Sequence, residues 1–116
     1  MTLRFESRGV AEIVRMPPTL VLANAAGVRS SIHERIATGS SRLVFDLARV
    51  EFADSSGLTA ILACVNGARR QGGEVALLAP MPRVRALIEL TRLDDVVMVT
   101  DDEAAALARV SGRAAA

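Results

Sequence analysis

The residues of this chain that are best suited to chemistry are two adjacent hydroxyls, in the stretch Asp54-Ser55-Ser56-Gly57. They follow a near-continuous apolar run and precede a segment whose apolar residues recur at helical spacing, so we expect them where a helix begins. Backbone N–H groups at a helix start lack intrahelical partners, and the helix dipole is positive there. The turn can therefore cap the helix, and an added phosphate there would be tolerated by the fold and sensed by any protein that docks.

Other kinds of chemistry lack the necessary residues. All 14 basic residues are Arg, which removes Schiff-base lysine chemistry and the P-loop lysine. One histidine (His33) and one cysteine (Cys64) are too few for a Cys/His zinc site or an internal disulfide, so we expect neither a metal nor a cofactor. A Ser–His nucleophile has little support, because His33 belongs to a different predicted helix from the serine pair. We therefore expect a protein that is not an enzyme.

Charge, aromatic content and hydropathy indicate which partners to expect. The net charge of +1 and the three Phe residues, with no Trp or Tyr, argue against nucleic acid as a partner. No apolar run approaches the roughly 18 residues that span a bilayer. The first six residues lack the apolar core of a signal peptide. We expect a cytoplasmic protein without membrane insertion, folded as one domain over residues 1–116 with a frayed tail at 111–116.

The hydrophobic pattern predicts an α/β fold with the order ββαβαβαβα, in which about four helices cover a mixed sheet of about five strands. The predicted elements are strands Leu3–Arg8 and Ala11–Met16 around Gly9, an extended segment Thr19–Leu22, a helix capped by Asn24 and ended by Gly39, strand Leu43–Leu47, a loop through Phe52, a helix from about Ser56 to Gln71, strand Glu74–Leu78, a short helix from Pro82 with Thr91 on its inner face, strand Val96–Val99, and a last helix opened by a capping box, Thr100–Glu103.

Several other polar residues have simple structural interpretations. Cys64 lies near an apolar stripe and is expected to be a small buried hydrophobe. His33 is expected to be solvated, as are Arg83 and Arg85. Arg69-Arg70 ends a helix, where cations complement the dipole.

Residues 40–110 resemble the STAS family, which includes anti-sigma factor antagonists and cytoplasmic domains of sulfate transporters. The resemblance rests on Leu43-Val44-Phe45-Asp46-Leu47, on Val50-x-Phe52-x-Asp54-Ser55-Ser56-Gly57-Leu58, on Gly72-Gly73, on Pro82-x-Val84-x-x-Leu87 and on Leu93. It implies a STAS-type fold, and the first 40 residues match only in outline.

The resemblance also implies a switch. In such antagonists the first Ser of the motif, here Ser55, is phosphorylated by the anti-sigma factor, a kinase of the histidine-kinase-like ATPase type. The unmodified antagonist binds the anti-sigma factor, phosphorylation blocks binding, and a metal-dependent serine phosphatase restores it. Ser56 is the less favoured phosphorylation site, and we expect it to be a structural cap.

The same resemblance suggests a docking surface around Ser55. Asp54 is expected to shape the site or to contact the partner directly. For Gly57 two interpretations stay open: close partner approach or backbone freedom on one side, and a small residue beneath the sheet on the other. The remaining candidates are a loop, Val21–Gly27, which contains Val21 and Asn24, and the exposed helix residues Thr59, Asn66 and Arg70.

Two departures from the family pattern leave alternatives open. Val21 stands where the family usually has an Asp near the phosphorylated Ser, and Thr91-Arg92-Leu93 stands where a small residue plus Gly is common. One alternative is a STAS subunit of a transport complex, for example one moving lipids, that is held by a membrane-associated ATPase and never phosphorylated. Another is a small-molecule module that uses the turn as an anion cradle.

Overall fold

The computed structural model describes residues 3–112 of the chain, as seven strands and four helices. The strands are β1 (Arg4–Arg8), β2 (Ala11–Arg15), β3 (Thr19–Leu20), β4 (Arg42–Asp46), β5 (Phe52–Ala53), β6 (Glu74–Leu78) and β7 (Met98–Thr100), and the helices are α1 (Leu22–Ala37), α2 (Ser55–Arg70), α3 (Pro82–Leu90) and α4 (Glu103–Val110).

Five strands form the main sheet, in the order β1-β2-β4-β6-β7. The hairpin of β1 and β2 is antiparallel, and its turn contains Gly9 with a φ of 65°. The pairs β2–β4, β4–β6 and β6–β7 are parallel. The predicted α/β class, the mixed five-stranded sheet and the four helices are therefore confirmed.

The sheet is covered on both faces, which explains the continuous apolar run of β4. On one face Leu43 and Phe45 belong to the large core shared with α1, α2 and α3. On the other face Val44 packs with residues of α4, among them Ala106 and Val110. Successive residues of a strand point to opposite faces, so a strand between two layers of helices needs apolar residues at every position.

A second, two-stranded parallel ladder pairs β3 with β5, in the register Thr19↔Phe52 and Leu20↔Ala53. The sequence predicts a loop through Phe52, and the two-residue strand there is a correction. Helices α1 and α2 begin directly after β3 and β5, respectively. The ladder therefore sets the two helix starts side by side.

Two predicted helix caps are wrong. Helix α1 begins at Leu22 with Val21 as N-cap, so Asn24 lies within its first turn and does not cap it by position. The last helix is capped by Asp102, whose carboxylate accepts from the Ala104 N–H at 3.0 Å, while Thr100 Oγ1 accepts from the Asp102 N–H. Both segments contain several polar residues near the helix start, and the local pattern does not decide which residue takes the N-cap position.

Some single-residue expectations also change. His33 is half-buried rather than solvated, because its Nε2 lies 3.3 Å from the Ala63 carbonyl between α1 and α2. Arg85 is half-buried and donates to Asp101 at 2.7 Å, whereas Arg83 is exposed as expected. Thr91 was predicted on the inner face of α3 but is exposed at the end of that helix, where its hydroxyl donates to the carbonyls of Leu87 and Ile88.

Other elements differ only at their boundaries. The last strand covers Met98–Thr100 rather than Val96–Val99, and Val96 is exposed. Cys64 is buried as expected, and burial raises its pKa to about 12. Arg69 does more than complement a dipole, since it donates to Glu74 at 2.8 Å and to the Val96 carbonyl at 2.7 Å. Of the predicted tail, residues 113–116 lie outside the described residues.

Candidate functional site

Ser55 is the first residue of α2, which begins directly after β5 and the N-cap residue Asp54. Its side chain is exposed. Its backbone carbonyl accepts from Thr59 Oγ1 at 2.8 Å, whereas its hydroxyl has no hydrogen-bond partner among residues 3–112. The hydroxyl therefore forms no stabilising contact within this part of the chain and is accessible from solvent.

The carboxylate of Asp54 joins the starts of two helices. Its Oδ1 accepts from the N–H groups of Ser56 and Gly57, at 2.9 and 3.2 Å, and so caps α2. Its Oδ2 accepts from the Leu22 N–H of α1 at 3.2 Å, across 32 positions of sequence. The cap of α2 is therefore Asp54, and the expectation that Ser56 would be the cap is wrong. A carboxylate accepts through both oxygens, whereas a serine hydroxyl offers one.

The start of α1 has no capping side chain of its own, because Val21 carries no acceptor. Asn24 supplies part of what is missing: its Oδ1 accepts from the Val21 N–H at 2.9 Å, and its Nδ2 donates to the Thr19 carbonyl at 2.7 Å. The predicted loop Val21–Gly27 is therefore mostly helix. The contact from Asp54 satisfies one further N–H group at this helix start.

Gly57 is required by a close approach within the chain itself. A Cβ at this position would collide with the backbone carbonyl of Leu20 in β3. Gly57 is buried, and its φ lies outside the left-handed region. The packing interpretation is confirmed, with β3 rather than the main sheet as the neighbour; backbone freedom is not required, and close approach of a partner stays a prediction.

The two serines line different clefts on either side of α2. Ser55 lines a cleft of about 170 Å³ between α2 and the segment that follows α3, where Thr91, Arg92 and Val96 form the far wall. Ser56 is half-buried and lines a cleft of about 200 Å³ between α1 and α2, together with Leu22 and Arg29. A group attached to Ser55 would therefore meet a different part of the molecule from one attached to Ser56.

The candidate contact residues of α2 form one exposed stripe. Thr59, Asn66 and Arg70 are all exposed. Counted from Ser55 they stand 4, 11 and 15 positions along the helix, which 3.6 residues per turn places on one side. The structure therefore brings these predicted residues into line with Ser55.

Exposed apolar residues near the turn were missed by the sequence analysis. Leu22 is 75% exposed and Phe52 55% exposed, although the sequence pattern suggests a strand end and a loop. Val96, which was expected inside a strand, is 44% exposed. The Arg83 guanidinium lies 5.6 Å from the centroid of the Phe52 ring. Hydrophobic periodicity cannot identify such residues, since it assigns apolar side chains to the core by default.

Within residues 3–112, no cluster of three His, Cys, Asp or Glu side chains is placed to hold a metal ion. None of the helices in that range has the length and apolar character needed to cross a membrane.

Comparison with known proteins places this arrangement in a family. The family model of the STAS domain matches residues 4–106. The anti-sigma F factor antagonist of Paenibacillus polymyxa is 33% identical over 101 residues, which are 86% of this chain and 86% of that protein.

Solved structures have the same fold. The crystal structure of an anti-sigma factor antagonist from Mycobacterium paratuberculosis superposes with a TM-score of 0.84 at 25% identity, covering 95% of this chain and 93% of that one. The antagonist SpoIIAA in its unphosphorylated form gives 0.79 at 23% identity, over 98% and 100% of the chains. The Bacillus SpoIIAA in its phosphorylated form gives 0.71 at 23%, over 94% and 99%. With its mixed sheet, its four helices and the family match over nearly the whole described chain, this protein belongs to the STAS domain family.

Proposed function

We propose that this protein is an anti-sigma factor antagonist, a binding protein whose contact with an anti-sigma factor is switched by phosphorylation of Ser55. The observation that carries the proposal is the position of the Ser55 hydroxyl. It is exposed, it starts the helix that follows the motif, and no residue of the described chain holds it in a hydrogen bond. A kinase can reach such a group, and modifying it costs the fold no existing contact.

The relatives support the partner class. The Paenibacillus polymyxa protein is named as an anti-sigma F factor antagonist, and SpoIIAA is known in unphosphorylated and phosphorylated forms. In our proposal the partner is an anti-sigma factor of the histidine-kinase-like ATPase type, which is also the kinase. A metal-dependent serine phosphatase reverses the modification.

The modification is a phosphoryl transfer to an alcohol. The bond between the γ-phosphorus of ATP and its bridging oxygen breaks, a bond from that phosphorus to Ser55 Oγ forms, ADP leaves, and the hydroxyl proton passes to a base of the kinase or to water. The product carries about −1.5 to −2 charges at neutral pH. Because Ser55 follows Asp54 directly, the new charge lies near an existing carboxylate, and the first turn of α2 becomes strongly acidic.

The docking surface in this proposal surrounds Ser55. It comprises the stripe of Thr59, Asn66 and Arg70 on α2, together with the first turn of α1 and its exposed Leu22. A surface that combines an exposed apolar side chain with a small hydroxyl can be covered by a flat partner. The same place with a dianion cannot be covered without a matching cation, because burying an unpaired charge is costly.

Substitutions at Ser55 test the switch. Ser55→Ala should bind the anti-sigma factor as the wild type does, whereas Ser55→Asp and Ser55→Glu should bind at least tenfold more weakly in calorimetric titration, a loss of about 1.4 kcal/mol. Equal affinity for all three variants would refute the proposal.

A matched variant controls for charge alone. Ser7→Asp adds the same charge at an exposed position of β1, opposite Glu12 of β2, and should leave the affinity unchanged. Intact-mass spectrometry of the protein from its own cells, before and after phosphatase treatment, should show a phosphorylated fraction. A complete lack of one under all growth conditions would favour the transport-complex alternative.

A further inference from the structure

Arg92 has an unusual backbone conformation next to the Ser55 cleft. Its φ of 60° and ψ of 26° are in the left-handed region, which non-glycine residues rarely adopt. It connects α3 to a 3-10 turn, Leu93–Asp95, and both Arg92 and Leu93 line the cleft that Ser55 also lines. The chain therefore has an arginine, and with it a cation, at the rim of the cleft, in a backbone conformation that favours glycine.

The guanidinium of Arg92 forms only an exposed ion pair, with Asp95. It donates from Nε to Asp95 Oδ2 at 2.7 Å, within a pair in which the side chains are 81% and 56% exposed. Exposed ion pairs of this kind contribute little, because water and salt screen them. The guanidinium can therefore change partners at small cost.

The other residues of the cleft make Arg92 stand out. In the described part of the chain eight residues line it, and Arg92 is the only charged one. Leu58, Leu62 and Leu93 give it apolar walls. Neighbouring arginines are engaged elsewhere: Arg83 lies over the Phe52 ring, and Arg85 pairs with Asp101. An anion introduced beside Ser55 would thus find one cation within the same cleft.

We propose that Arg92 is the intramolecular partner of a phosphate on Ser55. In the phosphorylated protein the Arg92 guanidinium gives up its contact with Asp95 and binds the phosphate across the cleft. This inference rests on the proposed phosphorylation of Ser55. Arginine matches phosphate oxygens with two parallel N–H donors, a stronger contact than a single surface pair with a carboxylate. Phosphorylation then does more than add charge, since the arginine side chain covers the cleft that the unmodified protein leaves open.

The test uses protein in which phosphoserine is inserted at position 55 during translation, so that no kinase is needed. A ³¹P NMR titration measures the second pKa of the phosphate, which is about 6 for an unpaired phosphoserine. With Arg92 present the midpoint should lie lower by about half a pH unit than in Arg92→Gly, since the cation favours the dianion. Arg92→Lys should give an intermediate value, because it keeps the charge and loses the paired donors.

Arg92→Gly should fold as the wild type does, because glycine adopts the left-handed conformation readily. Its urea unfolding midpoint should equal or exceed that of the wild type. Asp95→Asn provides the matched control: removing the competing carboxylate should lower the phosphate midpoint further when Arg92 is present, and should do so less in the Arg92→Gly background. Equal midpoints for the wild type and Arg92→Gly would overturn the inference, as would an Asp95→Asn effect independent of Arg92.

The outcome separates this inference from the proposed function. If the midpoints do not differ while Ser55→Asp still loses the anti-sigma factor, the arginine contact is wrong and the switch stands. If the midpoints differ while the phosphorylated protein binds the anti-sigma factor unchanged, the contact stands and the proposed switch is wrong.

Discussion

At the scale of single residues, Asp54 links the candidate site to the stability of the fold. Its two carboxylate oxygens receive three backbone N–H groups from two helices. Those donors belong to helix starts, where N–H groups have no partner within their own helix. The residue before Ser55 is therefore a structural element of both α1 and α2, whatever it contacts in a complex.

Replacing Asp54 should consequently destabilise the protein more than removing an ordinary cap. We expect Asp54→Ala to lower the free energy of unfolding by about 2–3 kcal/mol, because one cap contributes about 1 kcal/mol and the contact to α1 is lost as well. Urea denaturation monitored by circular dichroism measures the change.

Asp102 provides the comparison within the same chain. It caps α4 alone, through one bond to the Ala104 N–H. Asp102→Ala should cost about 1 kcal/mol. An Asp54→Ala loss no larger than that of Asp102→Ala would show that the contact to the Leu22 N–H contributes nothing.

At the scale of secondary structure elements, the start of α2 is pressed against β3. Gly57 faces the Leu20 carbonyl so closely that a Cβ would collide with it. The chain cannot relieve such a collision by rotating a side chain, because the neighbour is backbone held in the β3–β5 ladder. The tight contact fixes how α2 emerges beside α1, and with it the direction of Ser55.

Gly57→Ala should therefore destabilise the protein by about 1–3 kcal/mol, as overpacking does, even though alanine is the better helix former by about 1 kcal/mol. Thermal and urea unfolding of the variant measure this.

Gly67→Ala is the matched substitution in the same helix, with the same gain in helix propensity. The added Cβ would meet His33 Nε2 at 3.1 Å, the end of a side chain that can move. We expect its stability to stay within about 1 kcal/mol of the wild type. Similar losses at both positions would contradict the role given to the β3 contact.

At the scale of the whole molecule, the sheet is held by apolar contacts with the helices and by ionic contacts between strands. Helices cover most of both faces with apolar contacts, whereas an ionic cluster joins β1, β2 and β4. In that cluster Arg15 Nε pairs with Glu6 at 2.7 Å, and Arg15 Nη1 pairs with Asp46 at 2.6 Å. Hydrogen bonds from Arg15, with the charges of Arg15, Arg8 and Arg4, lower the pKa of Glu6 to about 2.

This shift predicts a contribution to acid stability. The unfolded chain binds a proton at Glu6 near pH 4.5, whereas the folded chain resists protonation until about pH 2. The stabilisation is therefore present above pH 4.5 and is lost as the pH falls through that interval. We expect Glu6→Gln to flatten the dependence of the free energy of unfolding on pH between about 4.5 and 2.

In Glu6→Gln the free energy of unfolding should still depend on pH, but less steeply than in the wild type. Some dependence remains because hydrogen bonds and charge from Arg35 also lower the pKa of Glu12. Glu89→Gln is the control, since Glu89 is exposed on α3 and forms no salt bridge in the part of the chain that the structure describes. If the free energy of unfolding falls equally steeply below pH 4.5 in Glu6→Gln and in the wild type, the proposed role of the cluster is contradicted.

The sequence by itself determined most of the elements of this protein, because the signals for them are local. Apolar spacing identified β4, β6 and the long helices, Gly9 marked the hairpin, and Pro82 marked the start of α3. The Asp-Ser-Ser-Gly motif located the start of α2 to within one residue. These features depend on contacts between residues close in the chain, or on faces that must be buried whatever buries them.

Only the tertiary structure decided which residue does what at the site. Asp54 rather than Ser56 caps α2, since the carboxylate also reaches a helix that starts 32 positions earlier. Asn24 fell inside α1 because β3 pairs with β5 and brings Val21 to the helix start. The surroundings of Ser55 and Ser56 differ because the two residues line separate clefts, one formed with the segment after α3 and the other with α1. Contacts between distant parts of the chain have no periodic signature, so local patterns cannot encode them.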